Sequence, residues 1–248
     1  MIKKNTNLQV TLIIPTLNEF EPMQVIMPRI KKEWFDELIV VDGGSTDGTI
    51  EYCKKNDYPI FIQTGKGIPN AETEALQRST KDIILIFTPD GNSIPELIPA
   101  LIEKTNEGYD MVIVSRYLGS AMSYDDDFFT GFGNRLFTKM VNYFFNAKYT
   151  DSLVGFRSYR RDALLKMRLD RQEEENFLRK NFFYMNSWEL GSSIRAAKLK
   201  LRVAEIPGDE PRRIGGVRKI SILKNGTGAL LQILYEFIAG LKFGKQKK

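Results

Sequence analysis

The stretch "IILIFTPDGNSIPE" (Ile83–Glu96) runs five apolar residues into a single acid, Asp90. A run this apolar is typical of a strand that is buried on both faces of a parallel sheet. Such a strand carries the residues after it to the carboxyl edge of the sheet, where open α/β sheets bind ligands. The stretch therefore predicts an α/β fold. It also makes Asp90 a candidate ligand-binding acid, with turn formation as the competing role.

The first half of the chain repeats this pattern. Further apolar runs occur in "VTLIIP", "ELIVVDGG", "YPIFIQTG" and "DMVIVSRY", and helical patterns lie between the runs. Five β-α units in series predict a mainly parallel sheet that is flanked by helices. The expected helices cover residues 23–33, 46–56, 69–79 and 94–105. Ser45 or Thr46 is expected to cap the second helix, and Ser93 the fourth.

The second half of the chain, after Arg116, does not continue the alternation of strands and helices. A polar loop leads into a predicted helix over residues 131–145, and a strand is expected in "LRVAEIP". A basic loop, "GDEPRRIGGVRK", then precedes an apolar helix over residues 220–241. The helix over 131–145 has two expected faces. Its apolar face comprises Phe132, Leu136, Phe137, Met140, Val141, Phe144 and Phe145, and its polar face comprises Arg135, Thr138, Lys139 and Asn142.

The composition of the 248 residues excludes several kinds of chemistry. The chain has no histidine, so a Ser-His pair, a histidine base and histidine metal ligands are excluded. One cysteine, Cys53, allows no internal disulfide and indicates a reducing compartment. The net charge is +5, and residues 195–248 hold 13 Lys and Arg against 4 Asp and Glu. This basic region predicts contact with phosphates or with an anionic membrane surface.

Polar residues follow three of the predicted strands. Asn18 and Glu19 come just after the first strand, Asp42 ends the second, and Asp90 follows the fourth. Because parallel strands end at one edge, we expect these side chains to share a crevice. Neither a G-x-G-x-x-G fingerprint nor a P-loop is present, which argues against a dinucleotide oxidoreductase. Acids at the strand ends also argue against a nucleic-acid partner.

An ordered set of motifs resembles family 2 glycosyltransferases, in particular the dolichyl- or polyprenyl-phosphate mannose (or glucose) synthases. The motifs extend over about residues 9–222, and they are "IIPTLNE", "VVDGGSTDGT", "TPDGNSIPE", "VSRY", "GNRLFTKMVN", "TDSLVGFRSYRRDAL", "AEIP" and "RRIGGVRK". The resemblance implies a GT-A fold, with one domain over 1–222. Its first part, 1–116, is the Rossmann-like half that binds the nucleotide sugar, and 117–222 is the acceptor half. Residues 223–248 are expected to form an amphipathic basic helix or tail.

The resemblance also implies binding roles for individual residues. A divalent cation, Mg²⁺ or Mn²⁺, is expected at Asp90 and Asn92. Arg213 and Lys219 are expected on the donor diphosphate, and the residues expected to be catalytic are Asp90, Arg116 and Arg213. The nucleoside pocket is expected to be lined by Pro15, Asn18, Glu19, Asp42, Lys66 and Gly67.

Two positions depart from the family pattern. The first acid of the family's Asp-x-Asp motif is Thr88 here, and the second acid of "VDDGS" is Gly43. Mg²⁺ needs only one or two protein carboxylates when substrate phosphates supply further oxygens. We therefore expect Asp90 to form half of a metal site that the nucleotide completes, with poor metal affinity in the absence of donor.

The acceptor decides which other residues are needed. A lipid phosphate is already ionised near neutral pH and requires cations. The resemblance implies Arg116 and Arg135 for this role, and Lys139 lies about one helical turn from Arg135. A sugar hydroxyl of a glycolipid or polysaccharide requires a general base instead, and Glu189 is the candidate. A non-catalytic nucleotide-sugar sensor is a third hypothesis, which the weakened acidic motifs favour.

The partners and location follow from this interpretation. The leading hypothesis is an inverting, metal-assisted transfer of a hexose from a GDP- or UDP-sugar to a polyprenyl phosphate. We expect a cytoplasmic protein that is peripheral at the inner face of the membrane, with the helix over 220–241 lying either in the interface or on the core. A membrane protein or a second copy of the chain is the candidate protein partner.

Overall fold

The apolar run at Ile83 forms a strand near the centre of a seven-stranded sheet. The computed structural model describes residues 8–169, 187–215 and 222–238 of the chain. Within them the strands are β1 (Val10–Thr16), β2 (Glu37–Asp42), β3 (Ile60–Ile62), β4 (Ile83–Ile86), β5 (Met111–Ser115), β6 (Arg157–Arg160) and β7 (Val203–Pro207). The strand order across the sheet is β3-β2-β1-β4-β6-β5-β7.

The sheet is mainly parallel, as predicted. Strands β1, β2, β3 and β4 pair in parallel, and so do β5 and β7. Strand β6 is antiparallel to both of its neighbours, β4 and β5. The sequence did not predict β6, because its buried residues include Arg157 and Ser158 rather than an apolar run. Strands β1 to β4 therefore end at one edge, where Asp90 lies.

Helices cover both faces of this sheet. One apolar cluster joins Ile13, Val41 and Ile84 to the third, fifth, sixth, seventh and eighth helices. A second cluster joins Leu12, Val40 and other strand residues to the first, second and fourth helices. The helices are α1 (Phe20–Ile26), α2 (Thr49–Lys55), α3 (Ile68–Arg78), α4 (Ile98–Asn106), α5 (Phe128–Phe145), α6 (Arg161–Met167), α7 (Trp188–Leu199) and α8 (Ile222–Ile238).

The predicted helix caps are wrong. The N-cap position of α2 is Gly48, with a φ of 102°, and that of α4 is Leu97; neither helix has a side-chain cap. The hydroxyl of Ser45 bonds to Asp42 instead, so it stabilises the loop before α2. Short 3₁₀ turns follow α1, at Met27–Arg29, and precede α4, at Pro95–Leu97.

The predicted faces of α5 are also partly wrong. Thr138, expected on the polar face, is buried and its hydroxyl pairs with that of Ser152. Phe132 and Leu136, expected on the apolar inner face, are exposed. Gly131 and Val141 complete the buried side with Thr138. The other five residues of the predicted apolar face belong to the core or pack against it, so the prediction is wrong only at Phe132, Leu136 and Thr138.

Helix α8 packs on the domain through both apolar and polar residues. Ala229 and Ile233 belong to the apolar core. The Glu236 carboxylate lies 2.8 Å from Arg195 Nε and 2.6 Å from Lys198 Nζ. No helix within residues 8–169, 187–215 and 222–238 is long and apolar enough to cross a membrane.

Candidate active site

Arg213 lies between two acids that follow different strands. Its Nη2 is 2.8 Å from Asp90 Oδ2, after β4, and its Nη1 is 3.2 Å from Glu19 Oε1, after β1. All three side chains are largely buried, with exposed fractions of 18%, 12% and 10%. The structure therefore brings together one acid predicted for the metal, one predicted for the nucleoside and one cation predicted for the diphosphate.

The segment that carries Arg213 crosses the ends of the strands. We call residues 208–215 the strap. The amide of Ile214 donates to the Asp90 carbonyl at 3.0 Å, which fixes the strap to the loop after β4. Gly91 has a φ of +90°, and a Cβ there would lie 2.6 Å from Ile214 Cγ1. Only glycine accommodates both this backbone conformation and this close approach.

Asn92 is oriented by an acid that the sequence did not single out. Its Nδ2 donates to Asp125 Oδ2 at 3.1 Å. Because a carboxylate only accepts hydrogen bonds, this contact assigns the amide nitrogen to the Asp125 side and the amide oxygen to the other side. That oxygen, Asn92 Oδ1, is buried and accepts no hydrogen bond from any described residue.

These residues fit a divalent cation. The Asp90 carboxylate and the unpartnered Asn92 oxygen are hard oxygen ligands of the kind that Mg²⁺ and Mn²⁺ prefer. Arg213 Nε is also buried without a partner among the described residues. A buried polar atom without a partner costs about 1–3 kcal/mol, so an acceptor and a donor are both unsatisfied beside Asp90. No group of three or more acidic or cysteine side chains that could hold a metal occurs in the described part, so phosphate oxygens would have to complete the coordination.

Asp42 and Asn18 hold two strand-end loops together. Both carboxylate oxygens of buried Asp42 accept hydrogen bonds from its own loop. Oδ1 accepts from the Gly44 amide at 2.8 Å and from the Ser45 amide at 2.7 Å. The Ser45 hydroxyl, which donates to Asp42 Oδ2, accepts from the Asn18 amide at 2.7 Å. The Asn18 side chain accepts from the Thr46 amide at 2.8 Å. These bonds connect the β1 and β2 ends, and the nucleoside roles of both residues stay predictions.

The other predicted nucleoside residues lie at the same edge. Pro15 is buried and is the residue before the last in β1. Lys66 is exposed in the loop after β3, and Gly67 begins α3 with a φ of +85°. Glu74 fastens this loop, because its Oε1 accepts from the Thr64 amide at 2.8 Å. Hydrogen bonds from Thr64 and others outweigh the effect of burial and lower the pKa of Glu74 to about 2.

Arg116 is engaged in a buried ion network. Its Nε lies 2.6 Å from Asp151 Oδ2, and its Nη1 lies 3.2 Å from Glu210 Oε1. Burial alone would lower the pKa of the guanidinium, but the two carboxylates raise it well above its usual value. Burial would likewise raise the pKa of Asp151, and Arg116 lowers it below the usual range. The contacts connect the end of β5 to the strap, so Arg116 lies away from solvent.

Arg135 and Lys139 lie on the exposed side of α5. The Arg135 guanidinium stacks on the Tyr117 ring, 5.3 Å from its centroid. The Tyr117 hydroxyl donates to Asp126, which lies in the loop between Asp125 and α5. Arg135 is therefore connected to the loop that orients Asn92, whereas Lys139 lies a turn further along the helix.

Glu189, the candidate base, lies at the start of α7 and accepts from the Ser187 hydroxyl. A Cβ on Gly155 would lie 3.5 Å from its Oε1. Glu72 of α3 is fully buried with one oxygen unpartnered among the described residues. Burial, and then the charge of Glu189, raise the pKa of Glu72 well above its usual value. Arg157 offsets part of this shift and is itself fully buried.

Sequence reasoning missed several residues of this region. Asp125, Asp151 and Glu210 appeared as ordinary loop acids, and only their three-dimensional partners give them roles. Glu72 was hidden within a helical pattern. Lys219, predicted on the diphosphate, lies outside the described residues.

The sequence model of the family described as "Glycosyl transferase family 2" matches residues 11–168. The chain therefore belongs to glycosyl transferase family 2, which confirms the predicted family and enzyme class. Crystal structures of glucosyl-3-phosphoglycerate synthase from Mycobacterium tuberculosis have the same fold. The complex with Mg²⁺ and UDP has a TM-score of 0.68 at 19% identity, and covers 94% of this chain and 80% of that chain. The complex with Mn²⁺, UDP and glucosyl-3-phosphoglycerate has a TM-score of 0.64. The predicted GT-A fold is thus confirmed.

Relatives with assigned names are similar over different parts of the chain. Glycosyltransferase AglJ of Haloferax volcanii is 29% identical over 64% of this chain and 53% of its own length. Dolichol-phosphate mannosyltransferase of Pyrococcus furiosus is 32% identical over 45% of this chain and 34% of its own. Undecaprenyl-phosphate mannosyltransferase of Micrococcus luteus is 25% identical over 86% of this chain and 88% of its own. The chain thus spans about half of the first relative and a third of the second.

Proposed function

We propose that this chain transfers a hexose from a GDP- or UDP-sugar to a polyprenyl phosphate, with inversion at the anomeric carbon. The observation that carries the proposal is the meeting of Glu19, Asp90 and Arg213 at the ends of β1 and β4. Relatives named for dolichol phosphate and undecaprenyl phosphate support the acceptor. A structural neighbour with Mg²⁺ and UDP supports the donor.

The two parts of the chain would divide this work. We assign the nucleotide sugar to residues 1–116, where the carboxyl ends of β1 to β4 lie together. Residues 117–222 would shape the acceptor side, since they contribute α5 and the strap. Residues 223–248 form the terminal part, of which α8 packs against α5 and α7.

Departure of the nucleoside diphosphate requires stabilisation of negative charge. Asp90 and Asn92 would hold Mg²⁺ or Mn²⁺, which, when bound, stabilises the charge of a leaving diphosphate without proton transfer. Arg213 is assigned to the diphosphate itself, because charge-assisted guanidinium–phosphate bonds are strong and bidentate. In the structure its partners are the carboxylates of Asp90 and Glu19. Arg213 would therefore exchange a carboxylate partner for a phosphate partner when the donor binds.

The acceptor needs no general base. The second pKa of a phosphate ester is about 6, so a lipid phosphate is already nucleophilic near neutral pH. This agrees with a chain that has no histidine. Exposed Arg135 and Lys139 are the cations that we assign to the acceptor phosphate. Arg116, held by Asp151 and Glu210, would act by positioning the strap.

A transfer assay tests this proposal. The chain would be incubated with Mn²⁺, polyprenyl phosphate and radiolabelled GDP- or UDP-hexoses. We expect a lipid-extractable product that mild acid hydrolyses, because a glycosyl phosphate is acid-labile. An acid-stable product that requires Glu189 would indicate a hydroxyl acceptor. Nucleotide-sugar binding without transfer or hydrolysis, across the whole panel, would contradict the proposal and favour the sensor hypothesis.

A further inference from the structure

We propose that the Gln63 side chain makes the chain selective for nucleotides whose base carries a carbonyl oxygen. Uracil has this oxygen at O4 and guanine at O6, whereas cytosine and adenine carry an amino group at the corresponding positions. The inference rests on the proposed function, because it concerns the base of the donor nucleotide. It adds a specificity-determining residue, Gln63, which lies just after β3.

The strand order determines where the base of a bound donor would lie. Across the sheet the order is β3-β2-β1-β4, and β6 and β7, which belong to residues 117–222, lie beyond β4. Arg213, which is assigned to the diphosphate, contacts Asp90 after β4 and Glu19 after β1. The hexose at one end of the diphosphate must face the acceptor half. The nucleoside at the other end therefore extends towards the ends of β2 and β3, roughly 5 Å further for each strand.

Three residues at the ends of β1, β2 and β3 border a site for a planar ring. We call Leu17, Gly43 and Gln63 the base slot. A Cβ added to Gly43 would lie 3.3 Å from Leu17 Cδ1 and 3.3 Å from Gln63 Nε2, so both side chains border the space that the glycine leaves open. Leu17 is apolar, yet its exposed fraction is 40%. An apolar side chain beside one well-placed polar group is the usual environment of a bound small molecule.

The orientation of the Gln63 amide is dictated by an ionised carboxylate. Burial would raise the pKa of Glu74, but hydrogen bonds from Thr64 and Asn70 lower it to about 2, so its carboxylate only accepts hydrogen bonds at neutral pH. Asn70 Nδ2 donates to Glu74 Oε1 at 2.8 Å and to Gln63 Oε1 at 3.0 Å. The carboxylate therefore fixes the Asn70 nitrogen, and this nitrogen fixes the Gln63 oxygen. Gln63 Nε2 is at the other end of the amide and faces the base slot.

A nitrogen donor in this position distinguishes the two kinds of base. Gln63 Nε2 donates to no residue in the described part of the chain. It can donate to a carbonyl oxygen of a base, but it cannot accept from an amino group. With cytosine or adenine, two donors would face each other and both would stay unsatisfied, which lowers the affinity by about tenfold or more. An amide that only held the loop after β3 would give no preference between bases.

Calorimetric titration of the full chain with UDP, CDP, GDP and ADP, in the presence of Mn²⁺, tests the proposal. The wild type should bind UDP or GDP about tenfold or more tightly than the amino counterpart, CDP or ADP. Gln63→Glu presents an oxygen acceptor to the base slot, so the preference should reverse in favour of the amino base. The two members of each pair have equal phosphate charges, so the added charge cancels in their ratio. Gln24→Glu, the same substitution at an exposed residue of α1, is the matched control and should keep the wild-type ratio.

A second variant tests the orientation of the amide while Gln63 itself is retained. Asn70→Ala removes the donor that fixes the Gln63 oxygen, so the ratio between the two kinds of base should fall towards one. Equal binding within both pairs by the wild type, or an unchanged ratio in Gln63→Glu, would overturn the proposal. The transfer assay separates this result from the proposed function. Transfer without base selectivity would contradict only the role of Gln63, and base selectivity without transfer would contradict only the proposed function.

Discussion

Arg213 Nη2 lies 2.8 Å from Asp90 Oδ2, although the two residues are 123 positions apart in the chain. The pair places a cation of the strap on the acid that we assign to the metal. One positive charge therefore lies between two carboxylates, Asp90 and Glu19, and offsets part of the negative charge of the cleft. A cation that binds Asp90 must compete with Arg213, which explains why we expect the nucleotide to be needed for tight metal binding.

Arg213→Gln should separate metal binding from catalysis. Mn²⁺ alone should bind more tightly than in the wild type, because no guanidinium competes for Asp90 and Glu19. The kcat should fall about 100-fold, because one donor to the developing charge is lost. Calorimetric titration with Mn²⁺ and steady-state kinetics would measure the two effects. Arg212→Gln removes a neighbouring charge from the same loop and should change neither; weaker Mn²⁺ binding in Arg213→Gln would refute the competition.

Asp125→Asn should weaken the cation site without altering the nucleotide pocket. The new amide no longer dictates which end of the Asn92 side chain faces it, so the ligand oxygen loses its fixed orientation. Loss of such an outer partner typically lowers metal affinity by 10–100-fold. Mn²⁺ affinity would be measured in the presence of nucleoside diphosphate, and nucleotide affinity in EDTA. Asp127→Asn removes an equal charge from the same loop and retains a good helix cap. Equal Mn²⁺ affinities in the two variants would count against this role.

Arg116 and Arg135 should respond in opposite ways to substitution by glutamine. Arg116→Gln leaves Asp151 and Glu210 unpaired in a buried place and should cost about 3–5 kcal/mol of unfolding free energy. Arg135→Gln removes an exposed cation and should cost less than about 1 kcal/mol. It should instead raise the acceptor KM far more than the donor KM. Urea unfolding would measure the stability of both variants, and steady-state kinetics would measure the two KM values. A stable Arg116→Gln variant with a raised acceptor KM would assign acceptor binding to Arg116 instead of Arg135.

Glu72 and Glu74 should give stability a dependence on pH of opposite sign. Burial raises the pKa of Glu72 well above 4.5, so the folded state holds the proton more tightly than the unfolded state. The contribution of Glu72 to the free energy of unfolding is fully present below pH 4.5, and it is lost as the pH rises through the pKa of Glu72 in the folded state. Glu72→Gln should therefore stabilise the chain relative to the wild type at alkaline pH, and the difference should vanish below pH 4.5.

Glu74, on the same helix, is the matched control. Its pKa is lowered from 4.5 to about 2, so its stabilisation is present above pH 4.5 and is lost as pH falls towards 2. Glu74→Gln should destabilise the chain at neutral pH. Denaturant unfolding would measure the free energy of unfolding of both variants, relative to the wild type, across the pH range. If this difference changed with pH in the same direction for both variants, the assigned environments of Glu72 and Glu74 would be wrong.

The strand framework was predictable because short apolar runs that end at turn residues, such as Ile83–Ile86, are typical of strands buried on both faces of a sheet. Strand β6 was not predictable, since Arg157 and Ser158 are buried by specific hydrogen bonds rather than by apolar character. Helical spacing predicted most of the inward side of α5, where Met140 and Val141 contact the core, but it did not predict that Phe132 and Leu136 are exposed. It also did not predict the burial of Thr138, because that depends on the hydroxyl of Ser152, 14 positions away in the chain.

The candidate site was predictable to the extent that strand ends define it. Asp90 and Glu19 follow buried strands, and the family resemblance added Arg213. The contact among the three could not be read from local patterns, because the strap reaches them from the far end of the fold. No sequence pattern indicated a role for Asp125, because that role depends on how the side-chain amide of Asn92 is oriented.

The most direct test of the central claim is calorimetric titration of GDP and UDP with Mn²⁺ or EDTA, in the wild type and in Asp90→Asn. We predict that at least one nucleotide binds the wild type more tightly with Mn²⁺, and that Asp90→Asn loses this difference while it still binds in EDTA. Identical Mn²⁺ dependence in the two proteins, or no binding of either nucleotide to the wild type, would contradict the account.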